Sequence, residues 1–305
     1  MKNELRAYTY DTLVSDIELL KNDFPDLEVG SIGKSVWGRE IYYIKIGEGQ
    51  NVISYNGAHH GMEWITSMIL VSFVRDFLRT RGRGGKLAGF LPSALAENST
   101  VYVIPMLNPD GVELSANGIP DFLNNEERQR LIEMNEGSTD FTHWQANANG
   151  VDLNHNYNAL WERSKAMERE NGILGAGRTR FSGEYAESEP ESRALADFTR
   201  EKDFKMTLAF HSQGKVIYHG FMDKEPPYSS EIAKAFTKIS PYKIEEISGI
   251  ASVGGYKDWF VDEFMRPGFT VEVGKGENPL PIECFIDVYR ETLPILLGAM
   301  TVSLP

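Results

Sequence analysis

The sequence predicts an α/β fold of three layers, α/β/α, with a mixed, mostly parallel twisted sheet and helices on both faces. Strand-like apolar runs alternate along the chain with helix-like ones, the order expected of a sheet covered by helices. The 305 residues are 41% hydrophobic and no Pro/Ser/Gly linker interrupts them, so one large core and a single domain over residues 1–305 are expected. Candidate ligand residues fall at the ends of predicted strands in both halves of the chain, and ligands collect at strand ends in such sheets.

The elements follow in order. A first helix is expected around Asp11 to Asn22, then strands at Glu28 to Ile32, Glu40 to Ile46, Val52 to Asn56 and Val101 to Leu107. Between the last two, Ile65, Ile69, Phe73 and Phe77 recur every four residues, which reads as a helix over 65–78. Ser188 and Glu191 form a capping-box pattern with Pro190 in the first turn, opening a helix that carries Leu195 and Phe198. Apolar strands at 206–210 and 268–273 and a core helix over about 285–300 complete the scaffold. Two charged, weakly periodic stretches, 113–140 and 162–180, are expected as excursions around a cleft mouth that decide substrate length.

Charge narrows the partners. At −13 the chain is repelled by nucleic acid and by anionic membranes, so neither is expected to bind it. The N-terminus leads into an amphipathic helix without an apolar run, and no window is long enough to span a bilayer. Cys284 is alone, which permits no internal disulfide and fits a reducing compartment, so a cytoplasmic location is expected.

Two short islands hold the chemistry. After the strand at 52–57 comes His60-Gly-Met-Glu63, where the hydrophobic period changes from strand to helix. Residues three apart on a turn point the same way, so His60 and Glu63 can reach one cation. The strand at 206–210 ends in His211, 148 residues after Glu63. Two His and one Glu leave a fourth tetrahedral position open, the pattern of a catalytic zinc. Manganese or cobalt could occupy the same ligands. Among the other histidines, His59 adjoins His60 and should point away from it. His219 lies roughly 26 Å further along if the strand continues, too far to share the metal. His143 and His155 stay open as site residues, although neither has a partner at ligand spacing.

Hydrolysis also needs a base. Glu272 is a lone carboxylate between β-branched residues near the end of the strand at 268–273, and is taken as that base. Asp152, in Gly150-Val-Asp-Leu-Asn154, suits the carboxylate that usually backs a metal-bound imidazole.

The ordered set His60/Glu63, Asn108-Pro-Asp-Gly111, Gly150 to Asn154, Gly183 to Glu189, His211-Ser212 and Glu272 resembles the zinc metallocarboxypeptidases, peptidase family M14, over nearly the whole chain. The resemblance implies a zinc carboxypeptidase-like fold and a single zinc peptidase catalytic domain. It implies one Zn2+ on His60, Glu63 and His211, with Asp152 behind His60. Glu272 would be general base and acid for a zinc-activated water, and Asn154 would bind substrate.

The chain departs from that family in places. After Asn154 stands His155, where an arginine usually clamps the substrate's terminal carboxylate, and imidazole lacks that bidentate geometry. A second arginine, expected before Gly150 to stabilise the oxyanion, is missing, so that either zinc carries more of that charge or Arg178 or Arg180 takes its place. Lys257 falls at the family's specificity position, where it would suit a side chain bearing a carboxylate. Ile250 replaces the tyrosine that usually closes over substrate, and Tyr256 is the nearest candidate for that role. These features look most like the bacterial subgroup γ-D-glutamyl-L-diamino acid endopeptidase I, which implies hydrolysis of the γ-D-glutamyl–meso-diaminopimelate bond in peptidoglycan-derived stem peptides. The alternatives are a general metallocarboxypeptidase releasing acidic C-terminal residues and a non-catalytic binding protein. Loss of Glu272 or of a ligand would favour the latter, and none is lost.

Overall fold

The computed structural model describes residues 7–246 and 249–304. Residues 1–6, 247–248 and 305 lie outside the described residues.

Among the described residues, eight strands form one mixed sheet: β1 (Glu28–Lys34), β2 (Glu40–Ile46), β3 (Asn51–Gly57), β4 (Ser99–Ile104), β5 (Met206–Ser212), β6 (Val216–His219), β7 (Lys243–Ile244) and β8 (Gly268–Val273). Their spatial order is β1-β2-β4-β3-β5-β8-β6-β7. The central strands β4, β3, β5 and β8 run parallel. β1, β2 and β6 add antiparallel pairings toward the edges. The expected strand at 101–107 stops at Ile104, because Pro105 has no N–H to continue the ladder.

Side-chain alternation makes the layers. On one face, Ile53 and Tyr55 of β3, Val101 and Val103 of β4, and Phe269, Val271 and Val273 of β8 pack under the helices Tyr10–Asp23, Ile65–Gly82, Ser229–Ile239 and Phe285–Ala299. On the other, Tyr102, Ile104 and Ala209 meet the helices Pro190–Lys202 and Tyr256–Phe264. Ile65, Ile69, Phe73 and Phe77 are all buried, and each such side chain contributes about 1.5–3 kcal/mol. Among the described residues, no helix is long and apolar enough to cross a membrane.

Two expectations are corrected. The Ser188/Glu191 capping box does not form: the helix starts at Pro190 with Glu189 as N-cap and no side-chain cap bond. Glu191 instead turns inward, accepting from Val36 N and Asn147 Nδ2, because a buried carboxylate must find donors. β5 also does not run on to His219, since the chain reverses after Ser212 and returns as β6 antiparallel to β8. The polar stretches 113–140 and 162–180, expected as excursions, carry the helices Asn125–Met134, with a full Asn124/Glu127 capping box, and Trp161–Glu170.

Candidate active site

The site lies beyond the carboxyl ends of β3, β5 and β8, as expected for a sheet with a parallel centre. After β3 the chain turns through Ala58, at φ 50°, into a short 3₁₀ turn, Gly61–Glu63, that precedes the helix starting at Ile65. Thr66 ties this turn, its hydroxyl accepting from Ala58 N and donating to the Glu63 carbonyl, both at 2.8 Å. Asn108 braces it from the side: its Nδ2 donates to the His59 carbonyl at 3.0 Å and its Oδ1 accepts from Gly111 N. Gly61 is needed for close approach, since a Cβ there would stand 2.2 Å from the Gly111 carbonyl oxygen.

Three side chains converge from these elements. His60 Nδ1 lies 2.9 Å from Glu63 Oε1, His211 Nδ1 lies 3.0 Å from Glu63 Oε2, and the two Nδ1 atoms are 3.3 Å apart. All three residues are buried, and their ligand atoms lie within 4.8 Å of one another. Zinc bonds of about 2.0–2.1 Å in a tetrahedron place ligand atoms roughly 3.4 Å apart, so the donor set fits this ion. Behind His60, Nε2 lies 3.1 Å from Asp152 Oδ1, whose other oxygen accepts from Arg180 N at 3.0 Å.

The electrostatics follow from crowding. Burial opposes charging of His60, but the Glu63 and Asp152 carboxylates hold its pKa well above the ordinary value. Burial alone would raise Glu63, yet the His60 and His211 charges pull it down to about 2. Glu272 is the registered partner of His211 across the parallel β5–β8 pair. Burial, with the charge of nearby Glu63, pushes its carboxyl up to about 8.

A cleft of about 830 Å³ contains His60, Glu63, His211 and Glu272 together with Asn154, His155 and Lys257. His155 is buried and its Nδ1 has no partner among the described residues. Asn154 Oδ1 accepts from Tyr256 N. His143, Arg178, Arg180 and Ile250 also line this cleft. Lys257 is not turned to solvent: it is buried and donates to the Gly220 carbonyl at 2.7 Å and to Asp258.

Tyr256 is not brought to the cleft. It is fully buried in the packing between the sheet and its own helix, against Tyr157, Trp259 and His59, with its hydroxyl 2.9 Å from Thr199 Oγ1. His59 stays out of the ligand cluster, stacking on His211 and pairing with the Tyr157 hydroxyl. His219 lines a neighbouring cavity. Sequence reasoning missed the bracing role of Asn108 and passed over Asp258, whose only signal was its position beside Lys257.

A family model described as zinc carboxypeptidase matches residues 13–294. The chain is 40% identical to the gamma-D-glutamyl-L-diamino acid endopeptidase 1 of Lysinibacillus sphaericus over 298 residues, 98% of this chain and 73% of that protein. It is 33% identical to the uncharacterized protein YqgT of Bacillus subtilis, covering 97% of this chain and 77% of that one. The structure of bovine thrombin-activatable fibrinolysis inhibitor in complex with tick carboxypeptidase inhibitor superposes with a TM-score of 0.71 at 21% identity, covering 97% of each chain.

Proposed function

The chain belongs to the zinc carboxypeptidase family, peptidase family M14, and on that premise we propose that it hydrolyses the γ-D-glutamyl–meso-diaminopimelate bond of peptidoglycan-derived stem peptides. The relative that is 40% identical over nearly all of this chain supports that substrate. The observation that carries the reading is the cleft itself: His155, whose Nδ1 has no partner among the described residues, and Lys257 share one cavity with Glu272 and the His60/Glu63/His211 cluster, where no arginine follows Asn154.

On this reading His60, Glu63 and His211 hold one zinc ion. Zinc there supplies Lewis acidity, polarising the scissile carbonyl and easing deprotonation of water. Glu272, beside His211 on the cleft wall, accepts the water proton and hands it to the departing nitrogen. Asp152 keeps His60 oriented. Asn154 and His155 meet the carboxylate of the leaving diaminopimelate, with imidazole making a weaker clamp than guanidinium. Arg178 and Arg180, on the cleft wall, are the cations available to an oxyanion. Residues 1–305 act as one catalytic unit, since two proposed ligands follow β3 and the third ends β5, neighbouring strands drawn from the two halves of the chain. Soluble muropeptides are the easier substrate for a chain of charge −13, and the single Cys284 fits action in the cytoplasm.

Mass spectrometry of zinc-loaded protein with L-Ala-γ-D-Glu-meso-diaminopimelate beside ordinary peptides with acidic C-termini tests the proposal. Release of diaminopimelate alone is expected. Trimming of the ordinary peptides would make the protein a general carboxypeptidase instead.

A further inference from the structure

Lys257 and Asp258 are adjacent in the first turn of the helix Tyr256–Phe264, and they form an ion pair whose side chains are each only 5% exposed. The pair lies where two spaces meet: it lines the cleft that holds Glu272, and also a neighbouring cavity of about 600 Å³ bordered by Arg163, His219 and Glu225. A lone buried lysine in this position would favour a carboxylate-bearing side chain, and a lone buried aspartate an ammonium. The observed pair is net neutral. A substrate end with a single charge would have to compete with the existing partner and leave a charge uncompensated in a buried setting, which is costly.

Counting donors shows what the pair can still accept. Lys257 has three N–H donors, of which, among the described residues, the Gly220 carbonyl and Asp258 use two. Asp258 retains acceptor capacity beyond its bond to Lys257 and its link to Gly255 N–H. One donor and one acceptor of opposite charge therefore remain side by side. An end group with a carboxylate and an ammonium on one carbon can meet both in antiparallel fashion, burying no net charge.

We propose that the Lys257–Asp258 pair reads a zwitterion: it selects, on the residue that leaves with the new amino terminus, a side chain ending in an amino-acid group over one ending in a plain ammonium or a plain carboxylate. This rests on the endopeptidase reading above, in which that residue is meso-diaminopimelate. It adds Asp258 as a specificity residue and changes what Lys257 does, from attracting any acid to holding half of a paired charge.

Three peptides test it without any variant: L-Ala-γ-D-Glu followed by meso-diaminopimelate, by L-lysine, which lacks the distal carboxylate, or by L-2-aminopimelate, which lacks the distal amine. The diaminopimelate peptide is expected to exceed each of the others by at least about tenfold in kcat/KM, mostly through KM. Lys257→Gln, leaving Asp258 unpaired, should shift preference toward the lysine peptide. Asp258→Asn, which keeps an acceptor for Gly255 N–H, should shift it toward aminopimelate. These opposite swaps are what a merely structural pair would not produce. Equal wild-type rates on all three peptides, or a uniform loss on all three in both variants, would overturn the inference while leaving the endopeptidase reading intact. Failure to cleave any γ-glutamyl peptide, with trimming of ordinary acidic C-termini, would overturn that reading and the inference with it.

Discussion

Asp152 Oδ1 stands 3.1 Å from His60 Nε2, on the opposite edge of the ring from the Nδ1 that faces Glu63 at 2.9 Å. A carboxylate in that place keeps the proton on Nε2 and the lone pair on Nδ1, where a metal can use it. Asp152→Asn should therefore weaken zinc binding by about 10- to 100-fold, measured by competition with a chromogenic chelator. Circular dichroism of the metal-free variant separates this from misfolding, because Asp152 also holds Asn154 N and Arg180 N. Unchanged affinity in a folded variant would remove Asp152 from that role.

Glu272 faces the cluster from the strand beside His211, in register with it. It is not one of the clustered donors, so Glu272→Gln should leave the bound metal in place and lower turnover by about 10²- to 10⁴-fold. Metal content by elemental analysis alongside muropeptide turnover decides the matter. A variant that keeps wild-type turnover would show that another group moves the proton.

Much of the site was legible in the sequence because its signals are local. His60 and Glu63 lie on one turn where the hydrophobic period changes, and Glu272 interrupts an apolar strand. What was illegible depends on contacts between distant segments. Asn108 braces the ligand turn from 49 residues away, and Gly61 matters only because Gly111 packs against it. Nothing local says that Glu191 turns away from its helix start to meet Asn147. Tyr256 was misjudged for a similar reason: spacing put a tyrosine near the specificity segment, and only the packing of its helix on the sheet decides which way the ring points.

Tyr256→Phe follows from that placement. The variant removes a hydroxyl 2.9 Å from Thr199 Oγ1 and leaves in place the backbone N–H that Tyr256 donates to Asn154 on the cleft wall. Stability should fall by about 1 kcal/mol, as for a typical buried hydrogen bond, with kcat and KM within twofold of wild type. A loss of kcat without a loss of stability, in paired denaturation and kinetic measurements, would return Tyr256 to the substrate side.

Removal of the metal should be visible in stability as well as activity. Ligand atoms this close suit a bound cation, and any ion that binds only the folded state stabilises it by mass action. At a free zinc concentration 1,000 times Kd the gain is about 4 kcal/mol. Chelated protein should melt at a lower temperature, recover on adding zinc, and lose the response in His211→Ala. A zinc-independent melting temperature in the wild type would disprove binding at these residues.

Glu191 sets a pH dependence away from the metal. It is fully buried, accepts from Val36 N at 3.1 Å and from Asn147 Nδ2 at 3.0 Å, and has Asp110 nearby. Burial first, then the charge of Asp110, pushes its pKa up from 4.5 to about 8. The folded state thus holds a proton that the unfolded chain releases above 4.5, so the contribution of this group is fully present below 4.5. It is lost as pH rises and is gone above about 8, at a slope of up to about 1.4 kcal/mol per pH unit. Glu191→Gln carries no titrating group, and its hydrogen-bond mismatch changes absolute stability without changing the slope. Urea denaturation of chelated wild type and Glu191→Gln at pH 5, 6, 7 and 8 should show the difference in stability between them moving in favour of the variant with each unit. A constant difference across the series would mean that Glu191 is ionised in the fold throughout, compensated by the Asn147 amide and the Val36 N–H.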